Sequence, residues 1–267
     1  MKTYQERVSG LLAALLVALS TSSALAQSPA LPGIGAQDRR AAVDTAEAPW
    51  RSLVKVQTNL GSRCTGVLVA PRRVATAAHC LLNRAQQILP ASSLHVLFGY
   101  DRGDYREHRT VASLTVGGPF DPGRRPEGIA RDWAVLTLSG DAPAGVEPLP
   151  LVRVPPEPGT PLMLGGYSQD KAQIVTADTA CAALGVAGTS RGTLLIHDCN
   201  GTRGVSGAAL LVRTADGQGA WGVAGIAVAA QTSASPRNIA VPAASFVDAA
   251  EGAALVGKAP ADTPSLR

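Results

Sequence analysis

Long apolar segments are nearly absent from this chain. Its one continuous stretch of Leu, Ala and Val, from Leu11 to Leu19, falls well short of the ~20 residues a spanning helix needs, so no stable membrane anchor is expected. Aromatic residues make up only 4% and charged residues 16%, and no run of either sign gathers the formal charge of +4 into a stripe. Nucleic acid and anionic membrane surfaces are therefore not expected as partners. No Cys-x-x-Cys pair occurs among the four cysteines, which in an exported chain favours two disulfides over a zinc site. The four histidines form no ligand-like cluster in the sequence, and neither a metal nor a cofactor is expected.

The first 26 residues do have a purpose. Lys2 and Arg7 precede the apolar stretch, and Ala24-Leu25-Ala26 follows it, which together read as a secretory signal peptide cleaved after Ala26. The expected location is secreted or periplasmic. Residues 27–48, rich in Ala, Pro and Gly and carrying Arg39-Arg40, read as a flexible leader or possible propeptide. What remains is long enough for one large or two small domains with real cores.

From Leu53 onward, short apolar runs alternate with turn residues: Leu53 to Val56, Gly66 to Val69, Leu94 to Phe98, Thr110 to Val116 and Trp133 to Leu138. These are strands at hairpin spacing. Residues 142–158 are rich in proline, which removes ladder donors and fixes φ, and they read as a linker. Strand-like runs resume at Leu162 to Leu164, Thr193 to Ile196, Ala208 to Val212, Gly222 to Ala229 and Ile239 to Val241. The pattern predicts an all-β chain of two antiparallel units, 49–141 and 159–257. The Ala-rich stretch Ala243 to Val256 is expected to form a terminal helix on the second unit, followed by a loose tail over 258–267.

Three segments carry chemistry. Thr76-Ala77-Ala78-His79-Cys80 places a histidine beside a half-cystine at the end of an apolar run, where it is held well enough to act as a general base. Serine is a poor nucleophile at neutral pH and needs such a base, with a third group to orient it. Asp132, directly before the run Trp133 to Leu138, is the natural orienting acid, and Ser206, within Gly204-Val205-Ser206-Gly207, is a nucleophile on a tight turn. Glycine at 204 allows the amides of Gly204 and Ser206 to converge as an oxyanion hole.

This order of His79, Asp132 and Ser206 resembles the chymotrypsin-type serine proteases, over roughly residues 48–256. Pro49-Trp50, Cys64-Thr65-Gly66 and Gly165-Gly166-Tyr167 add to the likeness. The resemblance implies two six-stranded antiparallel β-barrels, a terminal helix and an active site in the cleft between the barrels. It implies a Cys64–Cys80 disulfide beside the catalytic histidine, which leaves Cys181 and Cys199 to pair with each other. It also implies a monomeric endopeptidase acting on protein or peptide substrates.

Departures from the family narrow the branch. Digestive members carry an aspartate where this chain has Val205, so the likeness is closer to bacterial secreted members, including glutamyl endopeptidases. Val228 stands where a serine often supports the catalytic aspartate, which leaves Asp132 to backbone donors. By the same resemblance Asn200 falls at the floor of the specificity pocket, and Ala227 where glutamate-specific members place a histidine. With Ala230 narrowing the mouth, small or medium apolar substrate side chains are expected. Val205 and Val228 also motivate an alternative, a protease-like binding module without turnover. An α/β-hydrolase is excluded because no histidine follows Ser206. His95, His108 and His197 read as structural, Arg102-Gly103-Asp104 as hairpin chemistry rather than an adhesion motif, and Asp101, Asp104 and Glu107 as solvated charge.

Overall fold

The computed structural model describes residues 31–118, 128–214, 220–233 and 235–252. Six strands form a closed antiparallel barrel: β2 (Leu53–Thr58), β3 (Arg63–Ala70), β4 (Arg73–Thr76), β5 (Leu94–Phe98), β6 (Glu107–Val116) and β7 (Ala134–Leu138), in the order β2-β3-β4-β7-β6-β5. Val54, Val67, Leu68, Val74, Leu94, Val96, Leu136 and Leu138 are fully buried or nearly so. β-branched and leucine side chains on alternating positions fill a barrel of this size, leaving no pore.

A second closed barrel follows from β8 (Pro161–Gly166), β9 (Thr176–Thr189), β10 (Gly192–His197), β11 (Ala209–Arg213), β12 (Trp221–Ala229) and β13 (Asn238–Pro242). β9 pairs with both β8 and β10 to close it. A short β1 (Ala41–Ala42) adds to β9. The second core is built around Leu162, Leu164, Leu195, Leu210, Val212 and Ala240. The expected all-β, two-barrel architecture is the one observed.

Besides β1, which falls in the stretch read as a flexible leader, two strands lie outside the runs anticipated from sequence. β4 is only four residues long, with Val74 and Thr76 as its strand formers, and β9 is rich in Ala and Gly. Ala and Gly have little intrinsic β preference, and both strands are ordered by their neighbours. The terminal helix also differs from expectation. A 3-10 turn at Ala243–Ser245 gives way to α1 (Val247–Glu251), and the rest of the anticipated helix lies outside the described residues. The 3-10 turn stays against β12 of the second barrel, as expected, while α1 lies against β3 and β4 of the first. The Phe246 ring meets Trp133 at 6.1 Å between centroids, and Arg73 donates to the carbonyl of Ala249. Burial of Phe246 against Trp133 is what draws the segment across.

The connection 142–158 carries no strand but is tied to both barrels: Leu149 N–H donates to Leu68 O, and Val152 N–H to Val223 O. Lys55 is among the largest of the fully buried side chains. Its Nζ donates to Ala172 O at 2.8 Å, which joins the first barrel to the segment after β8, and sits 3.4 Å from the Tyr100 ring centroid in a cation–π contact within the first unit. Arg102-Gly103-Asp104 forms a tight turn, with Asp101 and Asp104 exchanging backbone hydrogen bonds.

Candidate active site

β4 and β7 are antiparallel neighbours with Thr76 opposite Ala134. A residue just past the end of β4 therefore meets one just before the start of β7. The chain leaves β4 into a 3-10 turn, Ala78–Leu81, held by the Cys64–Cys80 disulfide, while the turn Ile129–Arg131 delivers Asp132. The result is a two-point contact. His79 backbone N–H donates to Asp132 Oδ1 at 2.8 Å, and His79 Nδ1 lies 2.7 Å from Asp132 Oδ2. A carboxylate only accepts, so the hydrogen sits on Nδ1, leaving the Nε2 lone pair free for a proton. The Asp132 side chain is 1% exposed and that of His79 19%. The backbone donor expected for Asp132 is the amide of His79 itself.

The serine comes from the second barrel, on the turn between β10 and β11. Gly204 has φ +90° and Gly207 φ +82°. A Cβ on Gly204 would lie 2.3 Å from Tyr167 O, and one on Gly207 2.2 Å from Thr76 Oγ1, so both positions demand glycine for conformation and for space. This turn is pressed against the first barrel: Thr65 N–H donates to Ser206 O at 3.0 Å, and Thr65 Oγ1 to Gly204 O at 2.9 Å. Val205 packs into the second core at 4% exposure, so apolar burial holds the turn where an ion pair would otherwise be needed. The Gly204 and Ser206 amides donate to no acceptor among the described residues, which leaves both available to a developing oxyanion.

Ser206 and His79 line one cleft of about 710 Å³. Ala227, Val228 and Ala230, expected from the resemblance as pocket residues, line it as well. Asn200 is not among the lining residues. Its Oδ1 accepts from Gly35 N–H at 3.0 Å and its Nδ2 donates to Gln37 O at 2.8 Å, so the segment before β1 consumes the amide expected to face substrate. That segment is well anchored. Gly33 O accepts from Gly201 N–H and Asn238 Nδ2, Arg39 pairs with Asp178 at 2.9 Å, and the buried Arg40 pairs with Asp38 and Asp170 at 2.8 Å. Pro32 lines the cleft, a contribution with no sequence signal.

His197 also lines the cleft, at the end of β10. Its ring is fully buried, neither ring nitrogen has a hydrogen-bond partner among the described residues, and burial pushes its pKa down to about 3. Unfolded, it would titrate near ~6.5. The unfolded chain thus binds a proton that the native fold refuses, and stability present above pH ~6.5 is lost progressively as pH falls toward 3. Thermal melts from pH 7 to 4 should show a steeper decline for the wild type than for His197→Gln; parallel curves would contradict the assignment.

His95 and His108, far apart in the sequence reading, come together across β5 and β6, with His95 Nδ1 3.0 Å from His108 Nε2 and His95 Nε2 2.6 Å from Asn59 Oδ1. They lie away from the cleft.

Both disulfides implied by the resemblance are present, Cys64–Cys80 and Cys181–Cys199. Over 48 residues, 18% of this chain and only 15% of the relative's length, the sequence is 42% identical to a glutamyl endopeptidase of Bacillus licheniformis. A solved structure of a Glu endopeptidase in complex with MPD aligns with a TM-score of 0.65 at 22% identity, covering 82% of this chain and 99% of the other, a likeness of fold. A family model, Trypsin, matches residues 38–250. That match takes in both barrels, from the segment before β1 to the middle of α1, and on it the chain belongs to the trypsin family.

Proposed function

We propose that the protein is a secreted serine endopeptidase working through Ser206, His79 and Asp132. The observation that carries this reading is the two-point clasp of Asp132 on His79 in the cleft that Ser206 lines. His79 Nε2 takes the Ser206 hydroxyl proton as Oγ attacks the scissile carbonyl. The Gly204 and Ser206 amides stabilise the oxyanion, and His79 then returns the proton to the leaving amine, leaving an acyl-enzyme that water hydrolyses by the same steps. Asp132 holds the imidazole tautomer and stabilises its charged form.

The walls Ala227, Val228 and Ala230 support a pocket for small or medium apolar side chains. Among the described residues, no carboxylate lines the cleft to meet Arg or Lys. Secretion is supported by the signal-like first 26 residues and by two disulfides. The ion pairs of Arg39 and Arg40 argue for keeping residues 31–48 in the working enzyme, with 49–141 and 159–257 as its two barrels and 142–158 as their connection. The silent-module alternative drew on Val205, whose packing supplies its own means of holding the turn.

A serine-directed fluorophosphonate should label the purified protein stoichiometrically at Ser206, located by peptide mass mapping. No labelling of folded protein, from which residues 1–26 have been removed, would refute the reading.

A further inference from the structure

A charge taken out of water is expected to sit against an opposite one. Lys55 does not. It is 1% exposed, and among the described residues no carboxylate pairs with it. Its Nζ makes one hydrogen bond there, to Ala172 O at 2.8 Å, and otherwise faces rings, with the Tyr100 centroid at 3.4 Å and that of Tyr167 at 5.3 Å. Both rings are themselves held. They meet edge to face at 5.7 Å, Tyr167 OH donates to Tyr100 O at 3.0 Å, and the Tyr100 hydroxyl donates to Gln173.

This cation stands behind the serine turn. Lys55 on β2 lies directly opposite Thr65 on β3, and opposed residues of an antiparallel pair share a face. Thr65 Oγ1 accepts from Tyr167 N–H at 3.0 Å and donates to Gly204 O at 2.9 Å, while Thr65 N–H donates to Ser206 O at 3.0 Å. The serine turn also leans on the segment after β8 directly. Gln169 N–H donates to Arg203 O at 2.7 Å, and Tyr167 O fills the space that a Gly204 side chain would need. Lys55 grips residues 167–172 through the Tyr167 ring and the Ala172 carbonyl, and Thr65 grips them at Tyr167 N–H. The residues carrying both oxyanion amides rest on that pair of supports.

We propose that Lys55 is a positioning residue for the oxyanion hole: its ammonium, held by the Tyr100 and Tyr167 rings and Ala172 O, fixes residues 167–172 and Thr65 against the serine turn and so aims the Gly204 and Ser206 amides. The proposal rests on the endopeptidase reading above. Lys55 does not line the cleft, so it acts on the turn and not on substrate. A cation is drawn to a ring face more strongly away from water, and an aliphatic chain in its place would hold neither the rings nor the carbonyl. Oxyanion donors work only when aimed at the spot where charge develops. Burial lowers the Lys55 pKa to about 8, and Arg63 on β3 adds repulsion. Among the other groups around it, burial holds Tyr167 above the usual tyrosine range, Asp170 is paired with Arg40, and Lys171 is exposed. Lys55 therefore sheds its proton as pH rises through about 8, and the grip loses its cation.

The test compares wild type with Lys55→Met, Thr65→Val and the double variant. Each preparation is titrated to its end point with phosphonate, so that rates are per reactive Ser206. Lys55→Met should lower kcat by about 10- to 100-fold, short of the ~10²- to 10³-fold cost of deleting an oxyanion donor, with KM changed less than about twofold. It should weaken a peptide aldehyde, whose adduct places an oxygen in the hole, by a similar factor. A merely structural lysine would lower the melting temperature and leave kcat per titrated serine unchanged, and that result would overturn the proposal. Thr65→Val should show the same split, and the double variant should be about as slow as the slower single, because both act on one turn. Effects that multiply would put Lys55 on a separate route and sink the assignment. Wild-type kcat should also fall as pH rises from 7 to 10, with a midpoint of about 8, and this limb should be missing from Lys55→Met. Should Lys55→Met fail to fold, the wild-type profile decides, and a flat kcat across that range counts against the proposal. A wild type that takes no label fails the endopeptidase reading itself, which is a separate result.

Discussion

Ser206→Ala is expected to lower kcat on a cleaved peptide by about 10⁴- to 10⁶-fold. The reasoning is geometric. Gly204 and Gly207 hold the turn in backbone conformations and close contacts that do not involve the serine side chain, and the Ser206 carbonyl is pinned by Thr65 N–H. Replacing Oγ with hydrogen therefore leaves the turn, both free amides and the His79–Asp132 pair in place. The variant should melt within a few degrees of wild type and still bind peptide, with only the covalent route removed. Residual turnover should stay ~10³ to 10⁴ above the uncatalysed rate, because the amides and the cleft still act. The measurement is initial rate by product chromatography, with a thermal melt on the same sample. Turnover within tenfold of wild type would place the nucleophile elsewhere.

Asp132→Asn is expected to cost about 10⁴ in kcat for a different reason. Both carboxylate oxygens of Asp132 receive hydrogens from one residue, the backbone N–H and Nδ1–H of His79. Asparagine has one acceptor oxygen and one donor group. If its oxygen keeps the backbone N–H, its NH₂ faces Nδ1 and drives the ring hydrogen to Nε2, where no lone pair is left to take the serine proton. If the oxygen faces Nδ1, two N–H groups are forced together in a pocket where the side chain is 1% exposed. An unpaired buried donor costs ~1–3 kcal/mol, so the first orientation prevails. Activity should fall while the phosphonate reaction slows in proportion. A variant retaining a tenth or more of wild-type kcat would show that the clasp does not set the tautomer.

How much of this was legible in the sequence differs from element to element. Strands such as β5, with Leu94, Val96, Leu97 and Phe98, and β12, with Val223, Ile226 and Val228, carry β-branched, leucine and aromatic residues close together, and their signal is local. β9 has no such signal. Its Ala, Gly and Thr residues form a strand because β1, β8 and β10 supply pairing partners, and partners distant in sequence leave no local trace. The terminal segment shows the same limit. Its helical tendency was visible, but the place of α1 on the first barrel was decided by Phe246 finding Trp133. Asn200 was expected at the pocket floor, yet its amide is taken by Gly35 and Gln37, residues whose composition suggested only a leader.

His79, Asp132 and Ser206 were recognisable from sequence alone because each sits in a short segment whose chemistry is local: a half-cystine beside a histidine, an acid before a buried strand, and glycines around a serine. The all-β character was likewise determined by composition and short-range pattern. Tertiary structure alone decided which nitrogen of His79 carries the hydrogen, what holds the serine turn, and which groups line the cleft. It left the ring of His197, an unremarkable strand-end residue in the sequence, buried with no hydrogen-bond partner among the described residues. The physical reason is that hydrogen-bond satisfaction depends on every group within about 3 Å, and closing two barrels brings together groups that the chain keeps far apart.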